Sequence, residues 1–254
     1  MIHLIVFSKD RALQLDAALR TLLRYIYKPG MKITVIYTSS ASCFGDAYAK
    51  LIHELDGPIT WIYEGNFRHM VLSQLFMDYE YTMFYCDDSM MFAPAKFSGL
   101  DDDVLCHSLR LGRNTTVCYP VSHLQRVPKD FPKWRYRDGD FDFGYPFSVD
   151  SHIFRTVDIR RIACGHDWHS VNTLEASMVG TPSPLLYMTA GEHSCSVLIP
   201  HNRVQDHFPN RNEGGSAADL NALFLTGKRI DPFAMDFSKV IAAHWPVPFV
   251  YKEA

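Results

Sequence analysis

Two adjacent carboxylates stand between apolar runs in the segment Phe84-Tyr85-Cys86-Asp87-Asp88-Ser89-Met90-Met91-Phe92. This pattern places Asp87 and Asp88 at the edge of a hydrophobic core, where a charge is costly unless another charge compensates it. A divalent cation that bridges to a phosphate group is the usual compensation, and oxygen ligands favour Mg or Mn over Zn. The sequence therefore predicts a Mn or Mg site here. The alternative is a turn in which Asp88 caps the next element.

The elements that must position these acids alternate between strands and helices. Apolar and β-branched runs predict strands at residues 3–7, 32–37, 59–63 and 81–85. Helical patterns follow the first three runs, and we expect Ser8 or Asp10 to cap the first helix and Asn66 the third. This alternation predicts a mainly parallel, Rossmann-type α/β sheet flanked by helices.

The predicted strands all end in polar residues. Ligands of parallel α/β sheets bind beyond the carboxyl ends of the strands. Here those ends carry residues 8–11, 38–40, 64–66 and 87–89. We expect the four ends to converge on one crevice.

The second half of the chain has a different pattern. Residues 126–147 interleave aromatic and proline side chains with charges, which predicts an ordered aromatic loop. A helix is predicted at residues 170–179 and a strand at 195–199. No repeat or linker divides the chain, so we expect a single domain over residues 1–254 whose two halves, about 1–92 and 93–254, do different work.

Composition excludes several classes of protein. With 25 Lys and Arg against 28 Asp and Glu, the net charge of -3 provides no basic field for nucleic acid. The six cysteines form no CxxC pair, which favours reduced thiols in a cytoplasmic protein. The amino terminus has no signal-peptide pattern, and the longest stretch without charge, residues 176–191, contains glycine and proline. We therefore predict no transmembrane segment, and peripheral membrane contact stays open.

The opening strand with its leucine-rich helix, residues 5–11 onward, and the Asp87-Asp88-Ser89 motif resemble nucleotide-sugar-dependent glycosyltransferases of the GT-A fold. A strict Asp-x-Asp motif would need a further acid at position 86 or 89, where this chain has Cys86 and Ser89. The resemblance covers about residues 1–200. It implies a GT-A-like sheet with a smaller acceptor-side subregion, and a metal-dependent hexosyl- or deoxyhexosyltransferase. The donor would be a nucleoside-diphosphate sugar and the acceptor a glycan hydroxyl, in polysaccharide or glycoconjugate biosynthesis.

The resemblance also implies roles for individual residues. In the nucleotide-sugar half, the donor would contact Phe7, Ser8, Lys9 or Arg11, Tyr37, Arg68 and Asp87. In the acceptor half, Trp134 and Tyr145 would stack on acceptor sugars, and Arg203 would meet a phosphate. Besides Asp87 and Asp88, the metal would take His201 or His193 as a ligand.

An inverting transferase of this type also needs a carboxylate that deprotonates the acceptor hydroxyl. The candidates, in order, are Glu175, Asp150 and Asp167. Glu175 has a structural alternative, because Asn172 and Glu175 have the spacing of a capping box. A retaining enzyme would need no such base, and the sequence leaves the stereochemistry open.

Two other functions remain as alternatives. One is a metal-dependent phosphohydrolase that uses Asp87 and Asp88 with His166 and His169, which have i, i+3 spacing. The other is a non-catalytic module that binds a nucleotide or a glycan. The chain has no Walker A, Gly-x-Gly-x-x-Gly or Gly-x-Ser-x-Gly motif, which argues against kinases, dehydrogenases and α/β-hydrolases.

Overall fold

The computed structural model describes residues 1–204 and 211–254. Its strands are β1 (Ile2–Lys9), β2 (Lys32–Thr38), β3 (Ile59–Tyr63), β4 (Tyr81–Cys86), β5 (Ser89–Met91), β6 (Val104–Ser108), β7 (Val117–Cys118), β8 (His123–Leu124), β9 (Lys133–Arg135), β10 (His152–Arg155), β11 (Tyr187–Ala190), β12 (Ser196–Leu198), β13 (Lys228–Ile230) and β14 (Tyr251–Glu253). Its helices are α1 (Ala12–Tyr25), α2 (Ser42–Glu54), α3 (Phe67–Leu75), α4 (Thr156–Cys164), α5 (Val171–Val179) and α6 (Ala217–Leu225).

The central sheet has the strand order β3-β2-β1-β4-β10-β6-β11-β9. The four strands from the first half of the chain, β3, β2, β1 and β4, run parallel to one another. Strand β10 lies antiparallel between β4 and β6, β11 is parallel to β6, and β9 closes the sheet antiparallel to β11. Both halves of the chain therefore share one sheet.

Helices cover both faces of this sheet. Strand β1 is buried along its length up to Lys9, and its side chains alternate between two cores, as a central parallel strand requires. Leu4 and Val6 join the core beneath α1, α2 and α6, whereas Ile5 and Phe7 join the core beneath α3, α4 and α5. The predicted fold class, a mainly parallel α/β sheet flanked by helices, is confirmed.

The helix starts correct part of the prediction. Asn66 caps α3 as expected, with its side chain accepting a hydrogen bond from the His69 backbone N–H. Helix α1 has Arg11 at its N-cap and no side-chain cap, so the expected cap by Ser8 or Asp10 is wrong. Asp10 has a left-handed backbone, with φ of 57°. Its carboxylate instead accepts from the Ser40 backbone N–H at 2.7 Å, which ties β1 to the loop before α2.

The start of α5 decides the alternative for Glu175. The capping box of this helix consists of Ser170 and Thr173, two residues earlier than the predicted pair Asn172 and Glu175. Glu175 therefore has no capping role and lies on the second turn of the helix.

In the part of the chain that the structure describes, no helix is both long and apolar enough to cross a membrane.

Candidate functional site

A cavity of about 740 Å³ lies at the carboxyl ends of the parallel strands. Part of its lining comes from the ends of β1 to β4 and includes Ser8, Lys9, Thr38, Ser39, Ser40, Glu64, Asp87 and Asp88. The expected convergence of the four strand ends is confirmed. The rest of the cavity lining comes mostly from the second half of the chain and includes Tyr119, Asp150, Glu175, Asn202, Arg203, Arg211 and His244. The volume is that of a typical small-molecule site.

The first charge cluster consists of Arg11, Asp87 and Asp88. Arg11 Nη1 lies 3.0 Å from Asp87 Oδ1 and 2.7 Å from Asp88 Oδ2, and the three side chains are at most 11% exposed. Burial lowers the pKa of Arg11, but the two carboxylates outweigh this effect and raise it. Burial also raises the pKa of Asp87 above its usual range, although Arg11 pulls it down. The guanidinium therefore supplies the compensating charge that the sequence analysis assigned to a metal ion.

The Asp87 carboxylate accepts three hydrogen bonds from the protein. Its Oδ2 accepts from the Ser8 hydroxyl at 2.8 Å and from the Lys9 backbone N–H at 3.1 Å, while its Oδ1 accepts from Arg11. The Tyr48 hydroxyl lies 2.6 Å from Ser8 Oγ and accepts from the Arg11 backbone N–H at 3.2 Å. A continuous chain of hydrogen bonds thus fixes the start of α1 against the end of β4.

Asp88 is the more available of the two carboxylates for a divalent cation. Its Oδ2 pairs with Arg11, and its other oxygen, Oδ1, has no hydrogen-bond partner among the described residues. Both oxygens of Asp87 already accept hydrogen bonds from the protein, and its role as a metal ligand stays a prediction. Within residues 1–204 and 211–254, no group of three metal-ligating side chains is present. A single carboxylate still suffices for Mg or Mn when substrate phosphates complete the coordination sphere.

The role of His201 as a metal ligand stays a prediction, which its surroundings do not support. Its ring packs against Phe249, with a centroid separation of 4.7 Å. Neither His201 nor the alternative, His193, lines the cavity, although Arg203 does. The described residues therefore supply Asp88 but no histidine partner for it.

The second charge cluster lies beside the first, because the Ser89 hydroxyl, next to Asp88 in the chain, donates to Asp150 Oδ1. Arg110 is 3% exposed, and its nitrogens lie 3.7 Å from Asp142 Oδ1 and 3.8 Å from Asp150 Oδ2. Burial lowers the pKa of Arg110, but Asp142, Asp150 and Glu175 outweigh this and raise it. Glu175 and Asp150, the two leading candidate bases, therefore both interact electrostatically with the buried Arg110.

Asp150 and Glu175 differ in how tightly the protein holds them. Asp150 is 3% exposed, and its Oδ1 accepts from the hydroxyls of Ser89 at 2.6 Å and Ser151 at 2.9 Å. Glu175 is half-buried, and its Oε1 accepts from the Val149 backbone N–H at 3.2 Å. Burial raises the pKa of both carboxyls, against the opposing charge of Arg110. Glu175 is thus the more accessible of two carboxylates with raised proton affinity.

Asp167 and Arg68 lie outside the cavity. The Asp167 side chain is 105% exposed, and Arg68 Nε approaches it at 3.9 Å. Arg68 also donates to the carbonyl oxygens of Cys164 and His166, so it holds the connection between α4 and α5. The base at Asp167 and the substrate contact at Arg68 stay predictions, and neither residue lines the cavity. His166 is exposed and bonds to Thr181 Oγ1, away from Asp88, which removes the ligand set of the phosphohydrolase alternative.

The aromatic positions are corrected as well. Trp134 lies on β9 and is 2% exposed, and its indole N–H donates to the Phe143 carbonyl at 2.8 Å. It is a core residue and presents no face to an acceptor sugar. Tyr37 packs against the Tyr48 ring, with a centroid separation of 4.8 Å, and Tyr145 lies half-buried beside Glu175. Neither ring is among the residues that line the cavity.

Four important residues were missed by the sequence analysis: Tyr48, Arg110, Asn202 and His244. Each lies inside an ordinary helix, turn or loop pattern, and their partners are distant in sequence. Tyr48 had the strongest available signal, as a large aromatic residue on the buried face of α2. Arg110 comes shortly after β6, a strand that the sequence analysis did not predict, and an arginine is usually exposed.

The fold and the cavity define the class of protein: an α/β protein with a ligand site at the carboxyl ends of parallel strands. No protein-family model matches the chain. A curated relative, the bifunctional glycosyltransferase pgtA of Dictyostelium discoideum, is 24% identical over 277 aligned positions, which cover 91% of this chain and 36% of the relative. The chain thus spans about a third of the length of that relative. The predicted resemblance to glycosyltransferases is confirmed at the level of sequence similarity.

Solved structures also resemble this fold at low identity. The mannosyltransferase PcManGT from Pyrobaculum calidifontis, in complex with GDP-Man and Mn2+, is 13% identical with a TM-score of 0.45, covering 75% of this chain and 56% of that one. The galactosyltransferase LgtC, in complex with donor and acceptor sugar analogues, is 11% identical with a TM-score of 0.38, covering 89% of this chain and 96% of that one.

Proposed function

We propose that this protein is a glycosyltransferase that moves a sugar from a nucleoside-diphosphate sugar to a hydroxyl group of a glycan or glycoconjugate acceptor. The observation that carries the proposal is the presence of two adjacent carboxylate clusters that line one cavity. The cluster around Asp88 lies at the strand ends, where phosphates bind in α/β sheets. The cluster around Glu175 lies beside it, and the hydrogen bond from Ser89 to Asp150 links the two. The curated relative, a glycosyltransferase similar over 91% of this chain, supports the same function.

In this proposal the two halves of the chain divide the substrates. Residues up to about 92 hold the donor, through Ser8, Lys9 and the end of β4. The remainder of the chain supplies the base and the acceptor side. Cations that line the cavity, Lys9, Arg203 and Arg211, provide local positive charge for the diphosphate. A chain with a net charge of -3 can therefore bind an anionic donor without a basic surface.

A divalent cation, Mn or Mg, would be held by Asp88 together with phosphate oxygens of the donor. Bound there, it would neutralise charge on the leaving diphosphate. Arg11 would orient Asp88 by pairing with its Oδ2 at 2.7 Å, and Asp88 would offer Oδ1 to the cation. Asp87 does not bind the metal in this proposal. It anchors the start of α1 through Ser8 and Arg11.

Glu175 is the proposed general base. It accepts the proton of the acceptor hydroxyl while that oxygen forms a bond to the anomeric carbon, and the bond from this carbon to the diphosphate breaks with its electron pair leaving on the diphosphate. This stereochemical course is inverting. A buried carboxylate with a raised pKa accepts a proton more readily than an exposed one. Asp150 is less suitable, because Ser89 and Ser151 already occupy its Oδ1.

The first test is binding. Thermal shift with UDP, GDP, CDP and dTDP, each with and without Mn2+, should show stabilisation by at least one nucleoside diphosphate. The second test is transfer or slow hydrolysis of the matching nucleotide sugar. Glu175→Gln should lower kcat about 10²- to 10⁴-fold, which is the usual contribution of a general base, without weakening donor binding.

Asp167→Asn is the matched control, because the structure places this other candidate base outside the cavity. It should retain the wild-type rate. If no nucleoside diphosphate binds, the proposed function is wrong. If diphosphates bind but Glu175→Gln and wild type are equally inactive with every nucleotide sugar, the chain is a binding module.

All six cysteines are unpaired, which supports the cytoplasmic setting that we infer.

A further inference from the structure

Two polar side chains in the cavity wall have buried atoms without partners. Asn202 is 4% exposed, and neither its Nδ2 nor its Oδ1 has a hydrogen-bond partner among the described residues. The buried Nδ1 of His244 is likewise unpaired in the described structure. Both residues line the cavity. A buried donor or acceptor without a partner costs about 1–3 kcal/mol, so folded proteins usually satisfy such groups.

The backbone around both residues is held in place. Arg11 Nη2 donates to the Asn202 carbonyl oxygen, and the Ile199 backbone N–H donates to the Asp88 carbonyl at 2.8 Å. Leu198 exchanges two backbone hydrogen bonds with the segment that carries His244, at 3.0 Å and 2.9 Å. The unpaired atoms therefore belong to fixed positions in the cavity wall and not to a loosely packed surface.

Asn202 and His244 each adjoin one of the two charge clusters. Asn202 is tied to Arg11, and so to the cluster proposed to hold the diphosphate. Burial, and to a smaller extent the charge of the nearby Arg110, lowers the pKa of His244 to about 3. Arg110 in turn pairs with the cluster that contains Glu175. In a nucleotide sugar, the sugar joins the diphosphate at one side and reacts with the acceptor at the other.

We propose that Asn202 and His244 form the subsite that recognises hydroxyl groups of the transferred sugar. The primary amide of Asn202 offers one acceptor and two donor hydrogens, a combination that suits neighbouring sugar hydroxyls. Neutral His244 offers one ring nitrogen to a further hydroxyl. The subsite therefore takes a hydroxylated hexose and discriminates against analogues that lack the recognised hydroxyls. This inference depends on the proposed function.

The experiment compares donors that differ only in single hydroxyl groups. The nucleoside diphosphate that binds wild type is used bare, as its hexose conjugate and as the conjugates of monodeoxy hexoses. Dissociation constants are measured by calorimetry, and kcat/KM by donor hydrolysis. We expect wild type to bind at least one monodeoxy conjugate about 10- to 100-fold more weakly than the parent, because an unpaired buried group is left behind.

Asn202→Leu keeps the approximate size of the side chain and removes its hydrogen bonds. It should bind the parent conjugate as weakly as wild type binds the relevant deoxy conjugate, and should no longer distinguish the two. His244→Ala should erase discrimination at a different hydroxyl. The dissociation constant of the bare diphosphate should stay within about twofold of wild type in both variants, which a loss of folded structure would not allow.

Two results would overturn the assignment. One is equal weakening of the bare diphosphate and of its sugar conjugate, which would place Asn202 on the diphosphate. The other is wild-type discrimination among deoxy sugars in both variants. In either case the donor still binds and the proposed function stands. Failure of every nucleoside diphosphate to bind wild type would instead refute the proposed function, and the subsite with it.

Discussion

Removal of the Arg11 guanidinium should destabilise the protein strongly, and more so at high pH. Arg11→Met leaves two adjacent carboxylates, Asp87 and Asp88, without a cation in a site where the side chains are at most 11% exposed. At an effective dielectric constant of about 20, each contact near 3 Å is worth about 5 kcal/mol of attraction. The variant also avoids the cost of burying the guanidinium, so the expected net loss is about 3–5 kcal/mol at pH 8.

The pH dependence has a definite sign. Burial already raises the pKa of Asp87 in the presence of Arg11, and the variant loses the charge that opposes this effect. A carboxyl whose pKa is raised by folding stabilises the folded state below its unfolded pKa, and this contribution disappears as pH rises through the folded value. The deficit of Arg11→Met should therefore be small near pH 4 and complete at pH 8.

Urea denaturation at pH 4, 5, 6, 7 and 8 measures this deficit. Arg126→Met is the control, since the Arg126 side chain is 90% exposed in its pair with Asp140, and it should match wild type at every pH. In the Arg11→Met background, Asp88→Asn should restore stability, whereas in wild type it should reduce stability. A loss below about 1 kcal/mol at pH 8, or an equal loss at pH 4 and pH 8, would refute the reasoning.

The remaining predictions concern the core and the hydrogen-bond chain. Trp134→Phe should lower the free energy of unfolding by about 1–3 kcal/mol, because the Phe143 carbonyl loses its buried donor, and it should leave the acceptor KM unchanged. If Trp134→Phe raised the acceptor KM and left the stability unchanged, this result would support a contact between Trp134 and the acceptor. Tyr48→Phe should cost about 1–3 kcal/mol in urea denaturation, since the Arg11 backbone N–H loses its acceptor. The exposed Tyr63→Phe should match wild type, and equal behaviour of the two variants would contradict the role of the Tyr48 hydroxyl.

The sequence predicts the first half of the fold well, because its signals are local. Strand β1 is one apolar run. Asn66 caps α3, the helix that begins at the next residue. Asp87 and Asp88 follow the end of β4 in the chain, so their place at the sheet edge needs no long-range information. The same rule brought the polar ends of β1, β2 and β3 to the same cavity.

The pairing of side chains could not be predicted in the same way. Arg11 and Asp87 are 76 positions apart, and only the parallel pairing of β1 with β4 brings them into contact. Similarly, the burial of Trp134 depends on β9 joining β11, a pairing between short strands far apart in sequence. For Glu175 the sequence offered a capping box that begins at Asn172, and a competing box two residues earlier, at Ser170, caps the helix instead.

The two charge clusters are similar in composition, since each has one buried arginine and several carboxylates, and this similarity is better explained by function than by stability. In each, one buried arginine, Arg11 or Arg110, faces at least two carboxylates, so each cluster holds more negative than positive charge. Buried ion pairs add little stability compared with apolar residues of the same size, because both charges lose their hydration. The arginines do, however, fix the orientation of neighbouring carboxylates. Asp88 and Glu175 line the same cavity. In the proposed function, Asp88 would act on the diphosphate and Glu175 on the acceptor hydroxyl, and both roles need a carboxylate of fixed orientation.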